Sequence, residues 1–268
     1  MQLKVDCTEI DASDMGWLDQ VLAVHPEKVF IALHGPFGED GSVQRILENH
    51  NIRFTGSDSS VSAVAINKAR TKQILTGVGI PVPYSKLLTE AEECVYDRVF
   101  PAVVKPNGDG SSFGVSIVND QEGMHPAVTK AFKYSQEVLI EEFISGIEVS
   151  CGVTAISGVP AALPVIEVRP RAPFFDFESK YEKGGSEELC PAPIDKNLNR
   201  LIQEYSVLAF KTLNCRQYAR ADFIIRNRTP YFLEINTLPG MTVNSLLPKE
   251  LAVAGIRYQD FIKYLLKV

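Results

Sequence analysis

The stretch that most constrains how this chain can fold is ADFIIRNRTPYFLEINTLPGMT, residues 221–242. Two β-branched and aromatic runs flank a short polar tip near Arg228, which reads as an antiparallel hairpin. Alternation along a strand puts Glu234 and Asn236 on one face, and a tip centred near Arg228 sets Asp222 directly opposite Glu234. Facing carboxylates destabilise a sheet unless a cation lies between them. Two carboxylates with an amide oxygen are hard ligands of the kind Mg²⁺ accepts beside phosphate oxygens. Arg220, two residues before Asp222, falls on the same face and adds a fixed positive charge. The competing reading is a solvated hairpin face with an ordinary Arg–Asp pair.

An anionic ligand would have to be met by local cations, because the chain as a whole is acidic. Its 268 residues carry a net charge of −6, which removes the basic surface expected of a nucleic-acid binder or a polybasic membrane anchor. At 45% hydrophobic content the chain can build a sizeable core and more than one domain. The opening MQLKVDCTEI lacks the pattern of a signal peptide, and no apolar run is long enough to span a bilayer, so a cytoplasmic location is expected. Five scattered cysteines without a CxxC pair indicate neither a disulfide framework nor a zinc site.

Hydrophobic periodicity divides the rest of the chain. KVFIALH, residues 28–34, reads as a strand, and SVQRILENH as the helix that follows. VSAVAINKARTKQILTGVGI, from Val61, has the period of one amphipathic helix that ends near Gly77 and Gly79. FPAVVKPNGDGSSFGVSIVND reads as two strands around a loop rich in Gly and Ser, and EVLIEEFISGIEVSCGVTAI as two more around a Gly turn. Residues 164–193 look like a long irregular surface loop. NLNRLIQEYSVLAFKTL and IRYQDFIKYLLKV read as helices.

Three further constellations could carry chemistry. In VVKPNGDGSSFG, Lys105 ends an apolar strand and precedes Gly108, Gly110, Ser111, Ser112 and Gly114, a loop whose backbone N–H groups suit phosphate oxygens, although such a loop is more often only a turn. In VLIEEFISGIE, Glu141, Glu142 and Glu148 flank a turn and could meet an adenine amino group and ribose hydroxyls, or could simply be solvated strand ends. In LHGPFGEDGSVQ, His34 lies in a loop after a strand, where α/β proteins bind ligands, while Asp40 could merely cap the next helix.

Taken together and in this order, HGPFGEDGSVQ, FTGSDSSVSAVAINKARTK, VVKPNGDGSSFGVS, VLIEEFISGIE, ARADF and FLEINTLPGMT resemble the D-alanine–D-alanine ligases of the ATP-grasp superfamily. The resemblance runs from about Lys28 to the C-terminus. It implies a mixed α/β (α+β) ATP-grasp fold with a shortened N-terminal α/β domain at 1–57, a central subdomain at 58–141, and a C-terminal subdomain at 142–268 with a mobile loop at about 170–190. It implies that ATP is a substrate and that two Mg²⁺ (or Mn²⁺) ions are held by Asp222, Glu234 and Asn236. Lys68, Lys105, Ser112 and Lys180 would meet phosphates, Glu141 with the backbone near Phe143 and Ile144 would hold adenine, and Glu148 the ribose. Arg220 and the backbone of Gly240 would stabilise the tetrahedral intermediate. Ser245 and Leu246 match residues near the second substrate's carboxylate, and His34, Ser111 and Tyr181 complete the active site.

The activity so implied is ATP-dependent joining of two D-alanines through an acylphosphate, for peptidoglycan precursors, in a cytoplasmic homodimer. Tyr181 favours a dipeptide product over D-alanyl-D-lactate. The family's usual opening strand and glutamate-bearing loop have no match, so the first amino-acid site is expected to depart from the family pattern. Two other readings compete: an ATP-grasp ligase for a different carboxylate and amine, and an ATP-binding chain without catalysis.

Overall fold

The structure, a computed structural model, describes residues 5–89, 96–108, 113–170 and 186–267. Ser111, Ser112, Lys180 and Tyr181, singled out above, lie outside the described residues.

Two antiparallel sheets dominate. The first orders β1 (Ser85–Leu88), β4 (Val138–Glu142), β2 (Ala102–Pro106) and β3 (Ser116–Val118) in that sequence across the sheet. Alternation gives it two unlike faces. Ala102, Val104, Val138 and Ile140 bury themselves with Met124, Ala127 and Val128 of α5 (Met124–Ala131). Lys105 and Glu141 occupy the other face, since Val103 pairs with Glu141 and Lys105 with Leu139.

The second sheet runs β10 (Thr229–Asn236), β9 (Tyr218–Arg226), β5 (Ile147–Thr154), β7 (Ile166–Pro170) and β8 (Ser186–Leu189), with β6 (Ala161–Ala162) paired to β5. Its apolar face, with Val149, Cys151, Ala221, Phe223 and Phe232, packs against α6 (Lys196–Thr212). Phe223 and Phe232 sit opposite each other edge to face at 5.6 Å. Such a pair adds about 1 kcal/mol beyond the area it buries. The opposite face carries Ser150, Arg220, Asp222, Glu234 and Asn236. Gly146 turns the chain between β4 and β5, and the Arg226–Glu142 ion pair at 2.5 Å bridges the two sheets beside that corner.

Three local expectations are corrected. The helix expected from Val61 is two, α3 (Ser59–Ile66) and α4 (Lys68–Thr76). Asn67 leaves helical geometry and its Oδ1 accepts the Arg70 N–H at 2.8 Å, an N-cap that outcompetes continuation. Residues 28–34 form no regular strand; Val29 makes a single parallel bridge to Phe54, because only the short 53–55 segment lies alongside. The span 164–193 contains β7 and β8, which gain their ladders from β5 and from each other despite a polar composition.

The N-terminal residues share a core with the C-terminal helices. Ile31, with Val43 and Leu47 of α2 (Ser42–Asn49), clusters with Val21 of α1 (Trp17–Val24), with Leu247 and Leu251 of α7 (Leu246–Val253), and with Phe261 and Leu265 of α8 (Tyr258–Leu266). Each such buried side chain contributes roughly 2 kcal/mol. The early loop bearing His34 is thereby fixed against the end of β10.

Candidate active site

The polar face of β10 and the start of α4 border a cleft lined by Glu39, Lys68, Glu234, Asn236 and Thr237, and Lys105 of the four-stranded sheet lies close enough to feel the charge of Glu234. Asp222 stands opposite Glu234, and Arg220 opposite Asn236. The tip of the hairpin is the two-residue loop Asn227–Arg228, both at positive φ, and it pairs Arg226 with Thr229. Continued without interruption, that register would face Glu234 with Ala221. A bulge between Phe232 and Glu234 shifts it by one and brings the carboxylates together.

Cations already bracket these acids. Arg220 holds Asp222 through two parallel bonds, Nε to Oδ1 and Nη2 to Oδ2, each 2.8 Å, and Ser150 Oγ donates to the same Oδ1 at 2.7 Å. Lys68 Nζ lies 3.1 Å from Glu234 Oε2. Asn107 positions that lysine, because its carbonyl accepts the Lys68 N–H at 3.1 Å and its Oδ1 accepts the Ala69 N–H at 2.8 Å. On the four-stranded sheet, Lys105 Nζ lies 2.6 Å from Glu141 Oε2 while Lys72 pairs with Oε1. Burial alone would raise the Glu141 carboxyl, but Lys105 and Lys72 together hold it below its usual range. Burial alone would likewise lower Lys105, and Glu141 more than offsets it.

Among the described residues no group of three or more His, Cys, Asp or Glu could hold a metal ion. Asp222, Glu234 and Asn236 nevertheless form a fitting oxygen set for Mg²⁺, which takes one or two carboxylates beside substrate phosphates. Glu234 and Asn236 line the cleft, Asp222 stands opposite Glu234 on the same face, and Asn236 Oδ1, which accepts the Leu238 N–H at 2.9 Å, retains a second lone pair.

Residues 76–267 match the family model described as D-ala D-ala ligase C-terminus, and residues 6–57 its N-terminal counterpart. The chain belongs to the D-alanine–D-alanine ligase family. A D-alanine–D-alanine ligase of Desulforamulus reducens is 38% identical over 95% of this chain and 86% of its own length. Among solved structures, the D-alanine–D-alanine ligase of Bacillus anthracis complexed with ATP superposes with a TM-score of 0.81 at 33% identity, covering 95% of this chain and 82% of that one. The VanG D-Ala:D-Ser ligase of Enterococcus faecalis superposes with 0.80 at 32% identity, over 89% and 71% of the respective chains.

In this D-alanine–D-alanine ligase family member, the remaining expected residues fall as follows. His34 stands close enough to Arg220 to feel its charge; partial burial first, and Arg220 second, lower its pKa. Asp40 takes its structural alternative, accepting the N–H groups of Phe37 and Ser42 at 2.9 and 2.8 Å. Phe143 and Ile144 follow β4, and Glu148, half-buried on β5, faces Ile224 on the same side of the sheet as Asp222. Ser245 stands at the start of α7 with its Oγ 2.9 Å from that of Thr242, and Leu246 begins the helix. Gly240 packs so tightly on Ser245 that a Cβ there would meet Ser245 Oγ at 2.6 Å.

Three neighbours, Lys72, Ser150 and Glu250, escaped sequence reasoning, while Glu39 was visible beside His34 in the LHGPFGED loop without a role of its own. Lys72 sits one helical turn beyond Lys68, a spacing that could have flagged it. Ser150 had no signal. Glu39 is raised to about 6, first by burial and then by Glu234, against the Gly35 N–H that its carboxylate accepts at 2.7 Å. Glu250, on α7, is completely buried; its Oε1 accepts the Gly152 N–H at 2.9 Å, behind Arg220, which pairs with Gly152 across β5 and β9.

Burial pushes the Glu250 carboxyl up to about 8, in spite of the Gly152 N–H and Arg220. The unfolded chain releases this proton near 4.5 and the folded one near 8, so the associated stability is complete below the lower value and drains away as pH rises through the higher. Glu250→Gln should therefore match the parent's melting temperature at about pH 5 and exceed it by several degrees at about pH 8.5. Equal melting temperatures at both would show that Glu250 ionises freely.

Proposed function

We propose that this chain joins two D-alanine molecules to D-alanyl-D-alanine at the expense of ATP, supplying peptidoglycan precursors, with the cleft between the two sheets as its active site. The carboxylate of one D-alanine attacks the γ-phosphorus and ADP departs. The amine of the second D-alanine then attacks the acyl carbon, phosphate leaves, and the amine loses its proton. The observation that carries this reading is the bulge-set pairing of Asp222 with Glu234 beside the forked Arg220, which gathers two oxygen ligands and a fixed cation on one strand pair.

The chain's own residues act mainly by positioning and charge. Lys68 and Lys105, at the ends of α4 and β2, bind phosphate oxygens and neutralise their charge. Arg220, rigid in its fork on Asp222, stabilises the oxyanion as the tetrahedral intermediate forms, with the Gly240 N–H beside it. Glu141 accepts from the adenine amino group, the backbone at Phe143 and Ile144 reads the base edge, and Glu148 binds ribose. Asp222, Glu234 and Asn236 would hold two Mg²⁺ or Mn²⁺ ions, which would screen charge on the transferring phosphoryl group. His34 and Ser245 serve the amino-acid substrates, Ser112 and Lys180 are assigned to phosphate, and Ser111 and Tyr181 to the catalytic set.

A cytoplasmic homodimer fits this reading, and no helix among the described residues is long and apolar enough to cross a membrane. The likeness to a D-Ala:D-Ser ligase gives D-serine a place among the second substrates to be tested. Phosphate release by the full chain with ATP and Mg²⁺ is the deciding assay, with D-alanine alone and then D-alanine paired with D-serine, D-lactate or L-alanine. D-Alanine-stimulated release with D-alanyl-D-alanine as the main product is expected. Nucleotide binding without any such stimulation would replace the ligase by a non-catalytic binder, and stimulation only by another pair would reassign the substrates.

A further inference from the structure

Glu141 is shared by two lysines with different prospects. Lys105 comes from β2, one strand away, whereas Lys72 reaches in from α4. The three side chains are nearly sealed from solvent, 12%, 2% and 3% exposed for Lys105, Lys72 and Glu141. When a nucleotide binds, Lys105 is drawn to phosphate oxygens. A carboxylate left without a cation in such a setting would take up a proton, because burial disfavours its charge. Lys72 lies a full helical turn deeper than Lys68 and remains with Glu141.

We infer that Lys72 makes the site selective for a 6-aminopurine over a 6-oxopurine, by keeping Glu141 ionised while Lys105 is engaged with phosphate. An ionised carboxylate only accepts hydrogen bonds, so it favours an exocyclic amine and repels a carbonyl oxygen at the same position. A protonated carboxyl could donate to that carbonyl, and the discrimination would fade. The inference rests on the placement of adenine at Glu141 proposed above. Burial, with the like charge of Lys105 adding to it against Glu141, pulls the Lys72 ammonium down to about 7. Withdrawal of Lys105 toward phosphate removes that competing charge and tightens the remaining pair.

ATP and ITP differ at the group concerned, and steady-state ligation by the full chain with each measures the preference. Lys72→Met should lower kcat/KM for ATP by about tenfold, the worth of one charge-assisted bond, and leave that for ITP unchanged or higher. Lys72→Gln, a buried donor without charge, should show the same relaxed ratio, and Lys72→Arg should restore the parent's. If both nucleotides lose in proportion in the Met and Gln variants, Lys72 is a packing residue and the inference falls. Glu141→Gln separates the two layers of the argument. A parental ATP-to-ITP ratio in that variant would overturn the adenine placement itself, while a relaxed ratio there with an intact one in the Lys72 variants would overturn only the role given to Lys72.

Discussion

Replacing Arg220 by methionine is expected to lower dipeptide formation by about 10²–10³-fold, the usual consequence of losing one preorganised charge at a developing oxyanion. The same change removes both bonds of the fork on Asp222 and leaves that carboxylate facing Glu234 across the strand pair. Breaking a largely buried pair in this way costs about 3 kcal/mol. Arg220→Lys separates the two effects. It keeps a charge near Asp222 and should recover much of the stability, yet a single ammonium cannot reproduce the planar fork, so the rate should stay low. Phosphate release with D-alanine gives the rate, and urea denaturation the stability. A methionine variant that ligates within about tenfold of the parent would remove Arg220 from the chemistry.

Gly146→Ala should be strongly destabilising, because Gly146 makes the tightest backbone approach among the described glycines. A Cβ at that position would lie 2.0 Å from the Ile225 carbonyl oxygen and 2.8 Å from its carbon. Both are backbone atoms of β9, held by the adjacent Ile147–Ile225 pairing, so no flexible side chain can move aside. The corner that joins the sheets must open, and with it the spacing between Lys105 and Glu141 on one sheet and Asp222 and Arg220 on the other. A loss of more than about 3 kcal/mol is expected, together with loss of the thermal stabilisation that ATP confers. A variant melting within about 2 °C of the parent would show that the corner yields cheaply.

The hairpin of β9 and β10 was legible because two long β-branched and aromatic runs flank a short polar tip. What could not be read was how the facing pair arises: a three-residue tip and a two-residue tip followed by a bulge give the same partners, and only the backbone distinguishes them. The break at Asn67 was hidden for a related reason, since the apolar period runs on through it and the cap depends on the side chain folding back to Arg70. Lys72 and Glu250 were missed because burial of a charge is decided by tertiary packing, and sequence pattern places lysine and glutamate on the surface by default. β7 and β8 were missed because a polar strand declares itself only through the neighbour it pairs with.

The bulge at Leu233 also governs where this hairpin can change length. Insertions at Asn227–Arg228 extend the tip beyond the last pair, Arg226 with Thr229, and leave every partner below it in place. Straightening the bulge with Leu233 in place would put Glu234 opposite Ala221 and rotate Glu234 and Asn236 to the opposite side of their strand, among Phe223 and the apolar side chains of the α6 face, whereas deletion of Leu233 leaves a regular ladder with Glu234 still facing Asp222. Tags, linkers or fused segments therefore belong at the tip, and the stretch from Pro230 to Glu234 can lose its bulged residue but cannot be straightened with all five residues in place.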